Sequence, residues 1–318
     1  MISRRMIRCG VIITAAGLAL VALAALSPAA DKAQDAPKAR VVLARNPRAV
    51  NERNVCDPAE TARLLDRALA ALTGAPTPAK AWKALGLSAT DVVAVKVNCN
   101  NWTIALSPQP PLVEALCRSL QAVVEANRII VYDNDAEAMR NSGFALNRSA
   151  SGVRFIATDQ GDGFDEGERL TRIVTRSATK LINLASLKCV DENDLVASLL
   201  FKNHIGSLVP RDMSKCHGDH DFLAGVGARP SIRGKTVLNI ITGLRATYKR
   251  GVPWYWAGII MGRDPVATET AAIGVMNEKR RQEGLAPLPL PKYLDIAMNQ
   301  LGLGTCDAGR IQRVRLEI

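Results

Sequence analysis

The sequence predicts an α/β fold, in which a mixed, mainly parallel sheet is flanked by helices and follows an N-terminal signal peptide. Short apolar runs rich in β-branched residues recur along the chain, as is typical of strands buried on both faces. Helical segments introduced by proline alternate with these runs, and this β-then-α order predicts a largely parallel sheet. Neither an internal repeat nor a clear linker interrupts residues 40–318, so we expect a single domain there.

The first helix is predicted to begin at Pro58. Asp57 can cap it, proline suits the first helical position, and Glu60 completes a pattern like a capping box. Its apolar stripe consists of Leu64, Leu65, Leu69 and Leu72. A turn rich in glycine and proline over residues 74–78 ends this helix.

Two buried strands are predicted over residues 91–98 and 128–133, and a helix from Pro110 to about Asn127 connects them. Later strands are predicted over 153–157, 181–188, 236–243, the beginning of 258–267, and 311–318. The last of these alternates apolar and polar residues, as an edge strand with one wet face does.

Polar side chains lie at the carboxyl ends of the first two buried strands. Lys96 and Asn98 end one strand and Asp133 ends the other. In an open α/β sheet the carboxyl ends of strands border the ligand crevice, so these are candidate site residues. Roles as caps or turn groups remain equally open. Further on, Asp264 can cap a helix that begins at Pro265 and carries Glu269.

Reactive side chains are concentrated in residues 187–221, which contain all three histidines, two cysteines and three lysines. A short helix is predicted after Asn193 or Asp194, with an apolar side that would place Ser198 and Lys202 together on another side. Its buried residues would be Leu195, Val196, Leu199 and Leu200. A second helical turn, capped by Ser214, would bring Cys216, His217 and His220 to one face.

These histidines and the cysteine also form a candidate metal site. The predicted ligands are His204, Cys216, His217 and His220, which would suit zinc, copper or iron. The alternatives are a polar surface loop with hydrogen-bonded histidines, or a nucleophilic site that uses Cys216 or Cys189. No two cysteines after the leader have CxxC spacing, so no cysteine-ligated iron–sulfur cluster is expected. The cofactor, if any, is otherwise undetermined, and six cysteines allow too many disulfide pairings to choose among.

The net charge of +11 is dispersed along the chain, and aromatic residues make up 4% of it. A surface that stacks single-stranded bases needs clustered aromatic residues, so we expect no nucleic-acid partner. A basic surface can instead attract a small anionic molecule.

Residues 1–30 resemble an export signal, with a basic head, an apolar run and small residues that suit cleavage after Ala29. Arg4 and Arg5 in SRRMIR match a twin-arginine signal, so we expect the twin-arginine translocation machinery as a partner and a periplasmic or otherwise exported protein. Residues 31–39 are expected to be a linker. An uncleaved N-terminal membrane anchor is the alternative, and would be the only contact with a membrane.

Several ordered motifs resemble the domain of unknown function 362 family over roughly residues 40–318. They are VAVKVN, IIVYD, LINLASLK, LLFKNHIG, CHGD, TVLNIITGL and GRDPVATE. The resemblance implies functional positions at Lys96, Asn98, Lys188, Lys202, Asn203, Gly206, His217 and Asp264. The chain departs from the pattern at Val190, where a histidine is common, and at Glu269, where an aspartate is common. The family implies no established reaction.

Two functional hypotheses follow. In the first, the protein is an enzyme whose lysines 96, 188 and 202 hold a small anionic substrate with the help of Asn98 and Asn203. His217 would act as general acid or base, and Asp264 with Glu269 would orient a partner or a metal. In the second, the protein is a non-catalytic metal-binding or redox-accessory protein.

Overall fold

The computed structural model describes residues 38–100, 106–161, 163–192 and 195–318. The predicted signal peptide and most of the predicted linker lie outside these residues. The described part of the chain forms one compact unit. None of its helices has both the length and the apolar character needed to cross a membrane.

The predicted α/β class is confirmed, because an eight-stranded mixed sheet with helices on both faces forms the centre of the protein. Its strands are β1 (Ala39–Arg45), β2 (Val93–Lys96), β3 (Ile129–Asp133), β4 (Arg154–Ala157), β5 (Lys180–Ser186), β8 (Thr236–Thr242), β11 (Gly258–Gly262) and β12 (Ile311–Glu317). Two hairpins lie outside it and consist of β6 (Lys188–Glu192) with β7 (Leu195–Ser198), and β9 (Ala246–Lys249) with β10 (Val252–Trp254).

The order across the sheet is β12-β1-β11-β8-β5-β2-β3-β4. Within it β11 runs antiparallel to both of its neighbours, while the other neighbouring strands are parallel. The carboxyl ends of β2, β3, β5 and β8 therefore meet at one edge. Because β11 is antiparallel to β8, the carboxyl end of β11 lies at the opposite edge of the sheet.

Helices cover both faces of the sheet. They are α1 (Pro58–Thr73), α2 (Pro78–Ala84), α3 (Pro110–Leu120), α4 (Ala136–Asn141), α5 (Leu200–Asn203), α6 (Pro210–Met213), α7 (His220–Ala228), α8 (Pro230–Lys235), α9 (Pro265–Gln282) and α10 (Lys292–Asn299). Helices α1, α2 and α3 pack on one face, and α5, α7, α9 and α10 contribute to the core on the other. Alternate residues of each strand supply the two cores, for example Val93 and Ala94.

The predicted beginnings of α1 and α9 are confirmed. Asp57 Oδ1 accepts from the backbone N–H groups of Ala59 and Glu60, both at 2.9 Å. The Glu60 side chain does not complete a capping box, because its carboxylate accepts from Asn46 Nδ2 at 2.6 Å. The four predicted leucines of α1 are buried, and each contributes about 2 kcal/mol by leaving water.

The prediction of a helix after Asn193 or Asp194 is wrong. Residues 195–198 form β7, which pairs with β6, and helical structure begins only at Leu200. A short apolar run suits a buried strand as well as a helix, and here the hairpin partner decided the outcome. Ser198 and Lys202 consequently do not share a helical side.

The second predicted helical turn is also wrong. A 3-10 turn covers Ser214–Cys216, whereas α7 begins at His220 and is capped by Asp219. Gly218 separates the two with a φ of 85°, which belongs to the left-handed region and interrupts a helix. Cys216 and His220 therefore lie on different elements. The connecting helix α3 also ends earlier than predicted, at Leu120 instead of about Asn127.

Candidate functional site at the carboxyl edge of the sheet

A buried ion pair joins the ends of β2 and β3. Lys96 Nζ lies 2.5 Å from Asp133 Oδ1 and also donates to the Val97 carbonyl at 2.6 Å and to Asn203 Oδ1 at 3.2 Å. The lysine side chain is only 2% exposed. Three acceptors therefore surround one ammonium group, which is how a buried charge is tolerated.

Asp133 is held on its other side by the backbone. Its Oδ2 accepts from the Cys99 N–H at 2.6 Å. Gly206 packs directly over the pair, since a Cβ there would lie 2.7 Å from Asp133 Oδ1 and 2.9 Å from Lys96 Nζ. This close approach explains why the position implied by the family resemblance carries glycine.

Asn203 connects the ion pair to the middle of the sheet. Its Nδ2 donates to the Lys96 carbonyl at 3.2 Å and to Asn183 Oδ1 at 2.7 Å. Asn183 in turn donates to the Leu200 carbonyl at 3.0 Å, which holds α5 against β5. The polar network is therefore satisfied from Asp133 through to Asn183.

His204 follows directly and is buried, with 3% of its surface exposed. Its Nδ1 lies 3.4 Å from Ser207 Oγ, which is 3.0 Å from the Tyr132 hydroxyl. Burial lowers the pKa of His204 to about 3, and the positive charge of Lys96 acts in the same direction. The imidazole is therefore neutral.

Lys188 and Lys202 add two further ammonium groups at this edge. Lys188 Nζ donates to the Asn100 carbonyl at 3.1 Å. Burial lowers the pKa of Lys188 from 10.5 to about 8, and repulsion from Lys202 and Lys96 contributes. Burial also lowers the pKa of Lys202. These lysines are thus within electrostatic range of each other, and Lys188 is also within range of Asp133.

His217 lies on the solvent side of this group. Its side chain is exposed, and its pKa is lowered first by partial burial and then by the charge of Lys202. His217 is therefore an exposed residue within electrostatic range of Lys202. We call Lys96, Lys188, Lys202, Asp133 and His217 the lysine cluster. Asn98 is buried just beyond the end of β2.

Asp264 and Glu269 serve the scaffold. Asp264 accepts from the N–H groups of Ala267 at 2.8 Å and Thr305 at 3.0 Å, so it caps α9. Because α9 follows the antiparallel β11, Asp264 lies at the opposite edge of the sheet from the lysine cluster. Glu269 accepts from the Phe201 N–H at 2.7 Å and the Tyr293 hydroxyl at 2.8 Å, and thereby anchors the start of α5.

The predicted metal ligands are not brought together. His204 and Cys216 are buried, His217 is exposed, and the His220 ring stacks on Tyr293 with centroids 6.2 Å apart. Within the described ranges, no three histidine, cysteine or acidic side chains are grouped so that they could hold a metal ion.

The nucleophile alternative finds little support in the two cysteines. Cys189 and Cys216 are both buried, and burial raises the pKa of Cys216. A raised pKa disfavours the thiolate that a nucleophile requires.

Sequence reasoning missed the polar residues on the sheet face that is covered by α5, α7, α9 and α10. Asn183 and Asn239 are direct partners in the register of β5 and β8. Each lies in the middle of an otherwise apolar run, LINLAS and TVLNIIT. Two asparagines at matching positions of buried strands were the available signal, because a buried amide needs hydrogen-bond partners.

The family model described as "Domain of unknown function (DUF362)" matches residues 93–274, more than half of the chain. The chain belongs to this family. The part of this DUF362 protein that matches the family contains the lysine cluster, Asn203 and Glu269. No curated protein and no solved structure is significantly similar to the chain.

Proposed function

We propose that this protein is an exported enzyme that acts on a small anionic substrate at the lysine cluster. One observation carries the proposal, namely that three lysines among the described residues share this edge of the sheet with the ion-paired carboxylate of Asp133. An anion placed between Lys188 and Lys202 relieves their mutual repulsion. It also occupies the position at which open α/β sheets bind ligands.

The lysines have different roles in this proposal. Lys96 is buried and fixed by its three acceptors, so it positions Asn203. Lys202 binds the anion. Lys188, with a pKa of about 8, is about one-tenth unprotonated at pH 7 and can exchange a proton with the substrate.

His217 supplies the second acid–base group. Its lowered pKa makes it mainly neutral at pH 7, so it can accept a proton at the exposed side of the bound substrate. A site with one proton carrier on the buried side and one on the exposed side suits proton transfer within a bound acid.

The test compares Lys202→Met with Lys80→Met, which removes an exposed lysine of α2. Binding of inorganic phosphate and of small mono- and dicarboxylates is measured by calorimetry. We expect Lys202→Met to weaken binding about tenfold or more, since a hydrogen bond to a charged group contributes about 1.5–3 kcal/mol. Lys80→Met should bind as the parent protein does.

Folding should survive the Lys202→Met change, because burial already disfavours this ammonium group and methionine keeps the apolar stem. Unchanged anion binding in a folded Lys202→Met protein would refute the site. Stoichiometric transition metal in protein purified from its native compartment, with no open coordination position, would support the alternative of a non-catalytic metal-binding or redox-accessory protein.

We propose further that export uses the twin-arginine translocation machinery. The support is the sequence SRRMIR followed by an apolar run and small residues up to Ala29. Replacing Arg4 and Arg5 together with lysine should abolish translocation, and intact mass should show a mature chain that begins near Ala30. An unprocessed chain in the membrane fraction would contradict cleavage and favour the anchor.

A further inference from the structure

A cavity of about 330 Å³ lies over β5 and β8, on the sheet face that is covered by α5, α7, α9 and α10. Its walls come from α5, α7, α8, the beginning of α9 and the loop 302–304. This volume is at the lower end of the range for small-molecule sites in proteins. It is separated from the lysine cluster by the network of Asn203 and Asn183, and Asp264 lies on its wall.

Asn239 presents an unused acceptor at this cavity. Its Nδ2 donates to the Arg263 carbonyl at 2.9 Å, which fixes the orientation of the amide. Its Oδ1 is buried and has no hydrogen-bond partner among the described residues, and the residue is only 1% exposed. The paired Asn183 has partners for both of its amide atoms. A buried carbonyl oxygen without a donor is unusual in a folded protein and marks a place where a ligand can donate.

His204 provides a second unsatisfied atom on the same cavity lining. Its Nδ1 faces Ser207, whereas its Nε2 is buried without a partner in the described part of the chain. Asn239 Oδ1 accepts only, while a neutral imidazole nitrogen either donates or accepts according to its tautomer. A hydroxyl group can satisfy both. It can donate its hydrogen to the amide oxygen, and its oxygen can accept a hydrogen bond from the imidazole N–H.

The rest of the lining has a different character. Leu200, Phe201, Ile232 and Leu303 contribute apolar surface to the lining. Two residues of the lining, Arg233 and Arg263, are exposed to solvent. Arg233 donates hydrogen bonds to the carbonyls of Leu301 and Gly302. Asp264 accepts from the Ala267 N–H and thereby caps α9. The lining therefore combines buried polar groups, apolar side chains and two exposed arginines.

We propose that this cavity is a second small-molecule site, which takes a hydroxylated organic acid with an apolar body. The hydroxyl group lies between Asn239 and His204, and the carboxylate lies against Arg263 and Arg233. The site is independent of the anion site at the lysine cluster.

The test uses 4-hydroxyphenylacetate as the probe, and calorimetry as the measurement. Phenylacetate lacks the hydroxyl group and 4-hydroxyphenylacetamide lacks the charge. We expect each of them to bind about tenfold more weakly than the probe, because each leaves one end of the cavity unpaired.

Two variants test which residues bind the hydroxyl group and the carboxylate of the probe. Asn239→Leu should remove the preference for the hydroxylated acid over phenylacetate, because the amide oxygen that accepts from the hydroxyl group is gone. Arg263→Gln should weaken binding of the acid and leave binding of the amide unchanged.

Lys188→Met separates this site from the proposed enzyme site and should not alter binding of the probe. Absence of binding to the parent protein at millimolar probe would overturn the proposal. A hydroxyl preference that persists in Asn239→Leu would also overturn it. Loss of probe binding in Lys188→Met would place the probe at the lysine cluster instead.

Discussion

Glu269 gives the protein a stability that depends on pH. Burial raises the pKa of this carboxyl group from 4.5 to about 7, although Phe201 and Tyr293 both donate to it. Between these pH values the folded protein keeps the proton while the unfolded chain loses it, so the free energy of unfolding falls as pH rises. One pKa unit corresponds to about 1.4 kcal/mol, which makes the total loss about 3 kcal/mol at pH 8.

Replacing Glu269 with glutamine removes this titration and keeps the shape of the protonated acid. The variant should exceed the parent protein in free energy of unfolding by about 3 kcal/mol at pH 8, and by less than about 1 kcal/mol at pH 5. Urea unfolding followed by tryptophan fluorescence measures both values. Glu52→Gln, at an exposed position, is the matched control and should change neither value.

His204 also titrates, but in the opposite direction. Its lowered pKa means that stability is lost as pH falls below about 6.5, because only the unfolded chain takes up the proton. This contribution is present in the parent protein and in the variant, so the difference between them isolates Glu269. A difference that is the same at pH 5 and pH 8 would show that the pKa of the carboxyl group is not raised.

Two further changes test the buried ion pair. Lys96→Met leaves Asp133 charged, buried and without its cation, so the free energy of unfolding in urea should fall by about 3–5 kcal/mol; a loss below 1 kcal/mol would mean that water reaches the carboxylate. Gly206→Ala places a Cβ against both partners and should cost about 1–3 kcal/mol, whereas Gly274→Ala, on α9 with open space around it, should stabilise by up to about 1 kcal/mol; equal effects of the two would refute the close packing.

The sequence was sufficient to predict the strands that are buried on both faces and the helices that begin with Asp-Pro. In β2 all residues except Lys96 are apolar and two are valines, and this short β-branched run favours a buried strand. Asp57 and Asp264 precede prolines in the same way, and both are caps in the structure. These signals are local, so no knowledge of the partner elements was needed.

The remaining features depend on contacts between distant segments. The β6–β7 hairpin is stabilised by its mutual pairing, which a run such as Leu195–Ser198 does not reveal. Likewise, Lys96 meets Asp133 only because β2 and β3 are neighbours in the sheet. Residues of 187–221 that looked like one set were separated because Gly218 ends the local structure between Cys216 and His220.

The strand β12 covers an edge of β1 that would otherwise be open. It pairs with β1 in parallel over seven residue positions, across almost the entire described sequence, and pairings of such separation form slowly. A chain that lacks residues 311–317 leaves β1 as an open edge that another chain can join. The intact strand instead presents Arg313, Arg315 and Glu317 on its exposed side, and charges of this kind discourage edge-to-edge aggregation. Protection against self-association therefore begins only once the last strand has paired.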